Sequence, residues 1–330
     1  MKRWVEFSIA MTILAAAAAA PAAQLTTDAR AAIPHDVQQL VVIDYKAMQN
    51  STAAMNLRNR VMPPELKQFD EALNKFTLKT VTAAGKTSQT GEPIDNYVDE
   101  LAFALFRTSS TSETLQTVGV AQGQFPVEDI VGSFKAQKLK PALVRTNNIY
   151  PMGKTGMMLC FVDPSTMIFG SKESVTKALD ARDGMIRSML TNNAMMNAMQ
   201  SVDSNPLWSI LDDKGTQTMM KQLLGEAGSV TDFDTVKARL ESSWYSMDFS
   251  HGVKFDLTIQ TGDTFAAATV SSLMTAAVML RKMTGSDAEK QALNATSIDS
   301  NSGKLEVHFA TSDSEFAQLL QSPLFQTVVH

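Results

Sequence analysis

The part of the chain that most constrains the fold is residues 245–259, where apolar and polar residues alternate on both sides of a short loop. A two-residue turn at 251–252 would oppose Phe249 to Lys254 and mix the faces of the two strands. A three-residue loop at 250–252 keeps one face apolar, which a shift of one residue would destroy. It also places Gly252 last in the loop, where a positive φ is needed. The expected apolar pairs are Phe249–Val253, Met247–Phe255 and Tyr245–Leu257.

Strands and helices follow the same order in both halves of the chain. Each half is expected to run strand, helix, hairpin, helix, hairpin, helix, with turn-forming residues between the elements. We therefore predict an α+β fold of two related lobes, each with a mainly antiparallel, hairpin-built sheet packed by helices. The lobes are expected at 37–184 and 185–330, after a linker at 24–36, and the polar stretch 83–96 is expected to be a loop.

The N-terminus has the pattern of a secretory signal peptide. Lys2 and Arg3 precede an apolar segment, and small residues at 20–23 offer a cleavage site of the A-x-A type. We expect residues 1–23 to be removed, the mature chain to begin near Ala23 or Gln24, and the protein to be periplasmic or extracellular.

The charge of the chain limits its partners. The formal net charge is −5, and no cluster of Lys and Arg follows the N-terminal segment. Binding to nucleic acid or to an anionic membrane depends on such clusters. We expect no nucleic-acid partner.

Two Gly-Lys-Thr sequences invite comparison with a phosphate-binding loop, which needs G-x-x-x-x-G-K-[ST] between a strand and a helix. Asn148 stands where the first glycine would precede Gly153, and Thr80 stands where it would precede Gly85. An apolar run of strand length follows the first sequence, and a polar stretch follows the second. Both are predicted to be ordinary turns.

The inventory of reactive side chains does not indicate an enzyme. The lone Cys160 lies in an apolar run and is predicted to be a buried, inert core residue. His308 alternates with apolar neighbours and is expected to face solvent or a lobe interface. No nucleophile elbow, zinc-binding spacing or C-x-x-C is present. Acid pairs such as Asp212 and Asp213 fit helix capping, so a hydrolase that uses carboxylates stays an alternative without identified residues.

Methionine is unusually frequent, with 20 in the chain. Met195, Met196 and Met199 fall within about one helical turn, and thioether clusters can hold Cu(I). No His or Cys lies near them in the sequence, and methionine at helical spacing ordinarily fills gaps in a core. We therefore predict a structural role, with no metal and no cofactor.

The segment 263–283 is predicted to be a helix that is apolar on most faces. Its roughly 16 apolar-leaning residues, interrupted by Ser and Thr, are too few to cross a bilayer, so no transmembrane segment is expected in the mature chain. Such a helix is either buried or binds something apolar. We expect it to pack on the apolar face of strand 253–259 through a stripe of residues at three- and four-residue spacing, Phe265, Thr269, Ser272, Ala276 and Met279. If a cavity for a hydrophobic ligand lies there instead, the lining residues would be Phe255, Phe265, Thr269, Ser272, Ala276 and Met279.

Several short patterns resemble an uncharacterised family of exported bacterial two-lobe α+β proteins with no assigned activity. They are Ile33-Pro34 with Asp44, Tyr150 with Gly153, Phe169-Gly170-Ser171 with Leu179-Asp180, and Trp208. The resemblance implies a fold and an exported location but no activity. We expect a non-catalytic envelope protein with a binding or scaffold role. The alternatives are a periplasmic carrier of a hydrophobic ligand and the hydrolase named above.

Overall fold

The structure is a computed structural model that describes residues 23–62, 67–68, 71–72, 79–81, 87–89, 94–107, 114–154, 156–224 and 233–322. The described helices are α1 (Thr27–Ala31), α2 (Tyr45–Gln49), α3 (Thr52–Val61), α4 (Val127–Ala136), α5 (Lys172–Arg182), α6 (Asn193–Gln200), α7 (Asp213–Leu224), α8 (Phe233–Lys237), α9 (Thr264–Thr284), α10 (Asp287–Asn294) and α11 (Asp313–Leu320). The described strands are β1 (Val37–Asp44), β2 (Lys79–Val81), β3 (Thr87–Gln89), β4 (Val98–Arg107), β5 (Leu115–Gly123), β6 (Ala142–Val144), β7 (Asn147–Met152), β8 (Met157–Asp163), β9 (Thr166–Gly170), β10 (Leu207–Leu211), β11 (Leu240–Asp248), β12 (Val253–Thr261), β13 (Thr296–Asn301) and β14 (Lys304–Thr311).

Twelve of the described strands form one antiparallel sheet, in the order β13-β14-β12-β11-β10-β1-β4-β5-β9-β8-β7-β6. Strands from 37–184 occupy one side of this order and strands from 185–330 the other. They meet where β1 pairs with β10, for example Val42 opposite Trp208. The protein is therefore an α+β fold in which both halves of the chain contribute to a single large sheet.

The β11–β12 hairpin has the predicted register. Met247 lies opposite Phe255 and Tyr245 opposite Leu257, and Asp248 lies opposite Lys254. Gly252 has φ +82°, as the end of a three-residue loop requires. The alternation of side chains was sufficient to fix this register, because any shift would have moved apolar residues into water.

The predicted loop at 83–96 is wrong in part. Residues 87–89 form β3, which pairs with β2 as a separate two-stranded hairpin, and a turn of 3₁₀-helix covers Ile94–Tyr97. Strand β3 is made of Thr, Ser and Gln. Polar composition indicated a loop, whereas the pairing with β2 satisfies the backbone groups of this short strand. Residues 82–86, with the Gly85 sequence, lie outside the described residues.

The other Gly-Lys-Thr sequence is a turn, as predicted. Gly153 and Gly156 have φ +62° and +76° in the connection between β7 and β8. Helix α5 begins after the cap Ser171, whose hydroxyl oxygen accepts from the Ser174 backbone N–H at 3.1 Å. It ends before Gly184, which has φ +72°. Local sequence signals therefore predicted both features correctly.

Helices cover the two faces of the sheet unequally. On one face, α1, α5 and α6 pack against β1, β10 and the strands of the first half, around side chains such as Trp208 and Cys160. On the other face, α4 covers the first half, and α7, α8 and α9 cover the second. The described helices leave one face of β12 and β14 uncovered, and most side chains on that face are polar. His308 lies on this face and is exposed to solvent, with its Nδ1 2.6 Å from Asp256 Oδ1.

The segment 24–36 is not a linker, which corrects the sequence-based expectation. It contains α1, and Leu25, Ala29 and Ile33 are buried in the same core cluster as Trp208. The segment is short, contains Pro34 and follows the leader-like sequence, so its apolar residues did not indicate an element. Their burial depends on the surface that α5 and β5 present.

Candidate apolar binding surface

Helix α9 is the longest described helix and has well-defined ends. It begins after Asp263, whose carboxylate Oδ1 accepts from the Ala266 backbone N–H at 2.7 Å. It ends at Gly285, whose N–H donates to the Arg281 carbonyl oxygen at 2.7 Å. The 21 residues between these caps confirm the helix predicted from the apolar composition of 263–283.

One side of α9 is buried against the sheet. Its inward residues are Ala266, Ala267, Val270, Leu273 and Met274. Val270, Leu273 and Met274 belong to a core cluster with Leu257 and Ile259 of β12 and with Leu305 and Val307 of β14. The small residues Ala266 and Ala267 are completely buried, so the first turn of the helix is covered by the protein as well. This contact fixes how the helix is rotated about its axis.

The opposite side of α9 is also apolar but faces solvent. We call it the outer stripe, and its members are Phe265, Ala268, Thr269, Ser272, Ala276, Met279, Leu280 and Met283. The exposed fractions of its large side chains are 70% for Phe265, 62% for Met279, 45% for Leu280 and 81% for Met283. No charged residue belongs to the stripe. Helix α9 therefore presents two apolar sides, and only one of them is covered by the protein.

The sequence-based assignment of the packed side was wrong. Phe265, Thr269, Ser272, Ala276 and Met279 were expected to contact the sheet, but all five lie on the outer stripe. Phe255 lies elsewhere, half-buried on β12 with its ring centroid 5.7 Å from that of Tyr245. At about 100° per residue, the buried side is centred about 140° around the helix axis from the expected side. Both sides have similar composition, so periodicity alone could not choose between them.

Leu280 and Met283 were not among the predicted residues. They continue the spacing of three and four residues that runs through Ala276 and Met279. Extending the same pattern by one turn toward the C-terminus would have found them. Whether the predicted residues line a ligand stays a prediction.

The hydroxyl groups of the stripe are satisfied within the helix. Thr269 Oγ1 donates to the Phe265 carbonyl oxygen at 2.9 Å, and Ser272 Oγ donates to the Ala268 carbonyl oxygen at 3.0 Å. A hydroxyl whose hydrogen is already donated costs less to transfer into an apolar medium than a free one. The stripe therefore behaves as a more apolar surface than its Thr and Ser content indicates.

Basic side chains lie at both ends of the stripe. Arg239 forms an ion pair with Asp263 at 2.8 Å, and its guanidinium lies 5.9 Å from the centroid of the Phe265 ring. Arg281 and Lys282 lie in the last turn of α9 and are partly exposed. The apolar length between these ends carries no charge on its outer side.

Among the described residues, α9 is the one helix long and apolar enough to cross a membrane by length and composition. Length and composition alone thus do not exclude a span, contrary to the expectation from its Ser and Thr content. In the structure its inner side packs on β12 and β14. The absence of a transmembrane segment stays a prediction.

At the start of α9, the hydrogen bond from the Ala266 backbone N–H lowers the pKa of the cap Asp263. Other groups with shifted pKa values lie on other elements. Burial raises the pKa of the Cys160 thiol to about 11, which agrees with its predicted place in the core. Burial also raises the pKa of Asp212 to about 6, although its Oδ1 accepts from the Gly215 backbone N–H at 2.7 Å. Burial raises the pKa of Glu100, while the Gln122 amide donates to it at 2.8 Å. Asp212 therefore caps α7, as predicted.

Metal-binding arrangements are also absent from the described part of the chain, where no group of three or more His, Cys, Asp and Glu side chains is placed to hold an ion. Met195 and Met199 are buried, and Met196 packs against the same core cluster. Their helical spacing thus reflects core packing on α6, as the sequence indicated.

A shallow, open groove runs along α5. It is lined by Lys172, Glu173, Thr176, Lys177 and Asp180. Lys177 Nζ lies 2.9 Å from Asp36 Oδ2, and Asp180 pairs with Arg145. Four of its five lining residues are charged, and two of these, Lys177 and Asp180, are paired within the protein. It does not have the character of an apolar ligand cavity.

Comparisons with known proteins show the fold alone. No family model and no curated protein matches the chain. The crystal structures of TP0453 in crystal forms I and III are similar to it, each with a TM-score of 0.51 and with 9% and 11% sequence identity. The match to form I covers 91% of this chain and 97% of that one, and the match to form III covers 90% and 99%. One architecture therefore accounts for nearly the whole length of the chain.

Proposed function

We propose that this chain is an exported, non-catalytic protein of the cell envelope that binds the surface of a lipid bilayer through the outer stripe of α9. The observation that carries the proposal is the exposure of Phe265, Met279, Leu280 and Met283 along one uncharged side of a helix whose other side is already packed. The leader-like sequence at 1–23 supports the envelope location.

The shape of the stripe favours a bilayer over a small molecule or a second protein. Small-molecule sites are concave, whereas the outer side of a helix is convex. From Phe265 to Met283 the stripe is about 27 Å long, and with a width of about 10 Å it offers roughly 300 Å². A stable protein–protein interface buries about 800 Å² on each partner. A bilayer surface has no such requirement, because a helix lying in its interface inserts only its apolar side.

The composition of the stripe suits shallow insertion. Thr269 and Ser272 donate their hydroxyl hydrogens within the helix, so they bring no free donor into the apolar layer. Arg281, Lys282 and Arg239 lie at the ends, where their charged groups can stay at the level of the lipid headgroups. Partial burial of four large side chains gives weak and reversible binding, comparable to that of a single acyl chain.

The test is flotation of the purified mature chain with vesicles of phosphatidylcholine and with vesicles that also contain phosphatidylglycerol. We expect binding to both, since apolar insertion supplies most of the free energy. The triple variant Phe265→Ser, Met279→Ser, Met283→Ser is expected to bind at least tenfold more weakly. Its matched control is Leu143→Ser with Met185→Ser, which removes apolar side chains that are 71% and 63% exposed elsewhere and should bind as the parent does.

Three outcomes would contradict the proposal. The first is no binding to either vesicle. The second is equal binding of the triple variant when circular dichroism shows that it is folded. The third is sedimentation of the parent as a dimer that the triple variant does not form, which would assign the stripe to a second copy of the chain.

A further inference from the structure

The first described residue, Ala23, is bound to the core through its backbone. The indole Nε1 of Trp208 donates to the Ala23 carbonyl oxygen at 2.7 Å, and the Ala23 nitrogen donates to the Asn205 carbonyl oxygen at 3.2 Å. Trp208 is completely buried at the centre of the sheet, where β10 meets β1. The Ala23 carbonyl is thus the acceptor that the structure gives to this indole N–H.

The residues that follow Ala23 are held with similar specificity. The buried amide of Gln122 donates from Nε2 to the Gln24 carbonyl oxygen at 3.0 Å. Its Oε1 accepts from the Thr26 backbone N–H at 2.7 Å. Leu25, between them, is buried in the Trp208 cluster. Residues 23–26 are therefore a structural part of the core rather than the loose start of a mature chain.

The sequence pattern allows the leader to be cleaved at either of two peptide bonds, the one before Ala23 or the one before Gln24. Cleavage before Gln24 would take away the Ala23 carbonyl and leave the indole N–H of Trp208 without that acceptor. An unsatisfied buried donor is costly. Cleavage before Ala23 keeps the acceptor, and it also places Ala20 and Ala22 at the two small-residue positions of the A-x-A pattern. We infer that the Ala22–Ala23 bond is the processing site and that Ala23 is the first residue of the mature chain.

The chemistry is peptide hydrolysis by a protease of the export machinery. Water adds its oxygen to the Ala22 carbonyl carbon, the C–N bond to Ala23 breaks, and the products are the Ala22 carboxylate and the Ala23 amine. At neutral pH the new terminus is an ammonium group, which can still donate to Asn205. No oxidation or reduction is involved.

This inference rests on the export that the proposed function includes, so its tests separate the two. In a bacterial host that exports the full chain, N-terminal sequencing and intact mass are expected to give Ala23 as the first residue. A first residue of Gln24 or later, or one before Ala23, would overturn the assignment while leaving export standing. An intact Met1 in the cytoplasmic fraction would overturn export itself.

The role of the Ala23 carbonyl oxygen as acceptor for Trp208 is tested on purified chains that are produced with a chosen first residue and so need no cleavage. A chain that begins at Gln24 is expected to melt about 2–8 °C below one that begins at Ala23. The control is the same pair of chains carrying Trp208→Phe, which has no indole N–H to satisfy, and there the difference should largely disappear. Equal melting temperatures for the two chains with Trp208 present, or an equal difference with and without the indole, would contradict the role of Ala23.

Discussion

Phe265 is 70% exposed, whereas Ala266, the next residue of α9, is completely buried. Successive residues of a helix point about 100° apart, so the boundary between the covered and uncovered sides passes between these two. The large side chain faces solvent and the small one faces the protein interior. An apolar surface is therefore left on the outer side of α9.

Two alanine-to-leucine substitutions test the rotation of α9. Ala267 is completely buried, and Ala276 is exposed on the outer stripe. Ala267→Leu should lower the free energy of unfolding by about 1–3 kcal/mol, because the added atoms overpack the buried side of the helix. Ala276→Leu should change it by less than about 0.5 kcal/mol. Chemical unfolding of both variants measures the difference, and a larger loss in Ala276→Leu would reverse the assignment of the two sides.

The hairpin loop can be tested at Gly252. This residue has φ +82°, and a Cβ added there would lie 2.5 Å from the Thr311 carbonyl oxygen. Gly252→Ala is therefore expected to destabilise the protein by at least about 1–3 kcal/mol.

Gly132, in the middle of α4, is the matched control for that loop variant. Nothing lies within 4 Å of a Cβ added to it. Gly132→Ala should stabilise the protein by about 0.5–1 kcal/mol, because alanine has the higher helix propensity. Thermal unfolding of both variants should shift in opposite directions, and a neutral Gly252→Ala would show that the loop can adopt another conformation.

Cys160 should be unreactive in the folded protein. Its side chain is buried and its thiol pKa is raised to about 11 by burial, so the thiolate that reacts is scarce at pH 8. Labelling with a thiol reagent is expected to be slow under native conditions and fast in denaturant. Stoichiometric labelling within seconds of mixing with folded protein would contradict the structure.

Asp212 should make stability depend on pH. Burial raises its pKa from 3.8 to about 6, so between these values the folded protein holds a proton that the unfolded chain has released. The contribution of Asp212 to stability is full below about pH 4 and is lost as the pH rises through about 6. Asp212→Asn keeps an oxygen for the Gly215 N–H but cannot titrate. The free energy of unfolding of the parent relative to that of the variant, measured in urea from pH 4 to 7.5, should fall as the pH rises. A difference that stays constant over this range would exclude the pKa shift.

Local pattern was sufficient for much of the fold. Strict alternation around residues 250–252 specified the β11–β12 register, because a shift of one residue would expose every apolar side chain of the pair. Ser171 and Gly184 marked the ends of α5, and the apolar run around Cys160 marked a core strand. In each case the deciding interactions lie between residues near one another in the chain.

The tertiary structure decided what depended on distant partners. The sequence of α9 has two apolar sides, and only the surfaces of β12 and β14 determine which one is covered. Residues 23–33 have too few apolar side chains to specify their own burial, and they are held by Trp208 and Gln122, roughly 100 to 200 positions away. Pairing of β1 with β10 joins the two halves into one sheet across a similar distance. Periodicity shows which side chains avoid water, whereas the choice among equally apolar surfaces comes from the shape of the surface that each one meets.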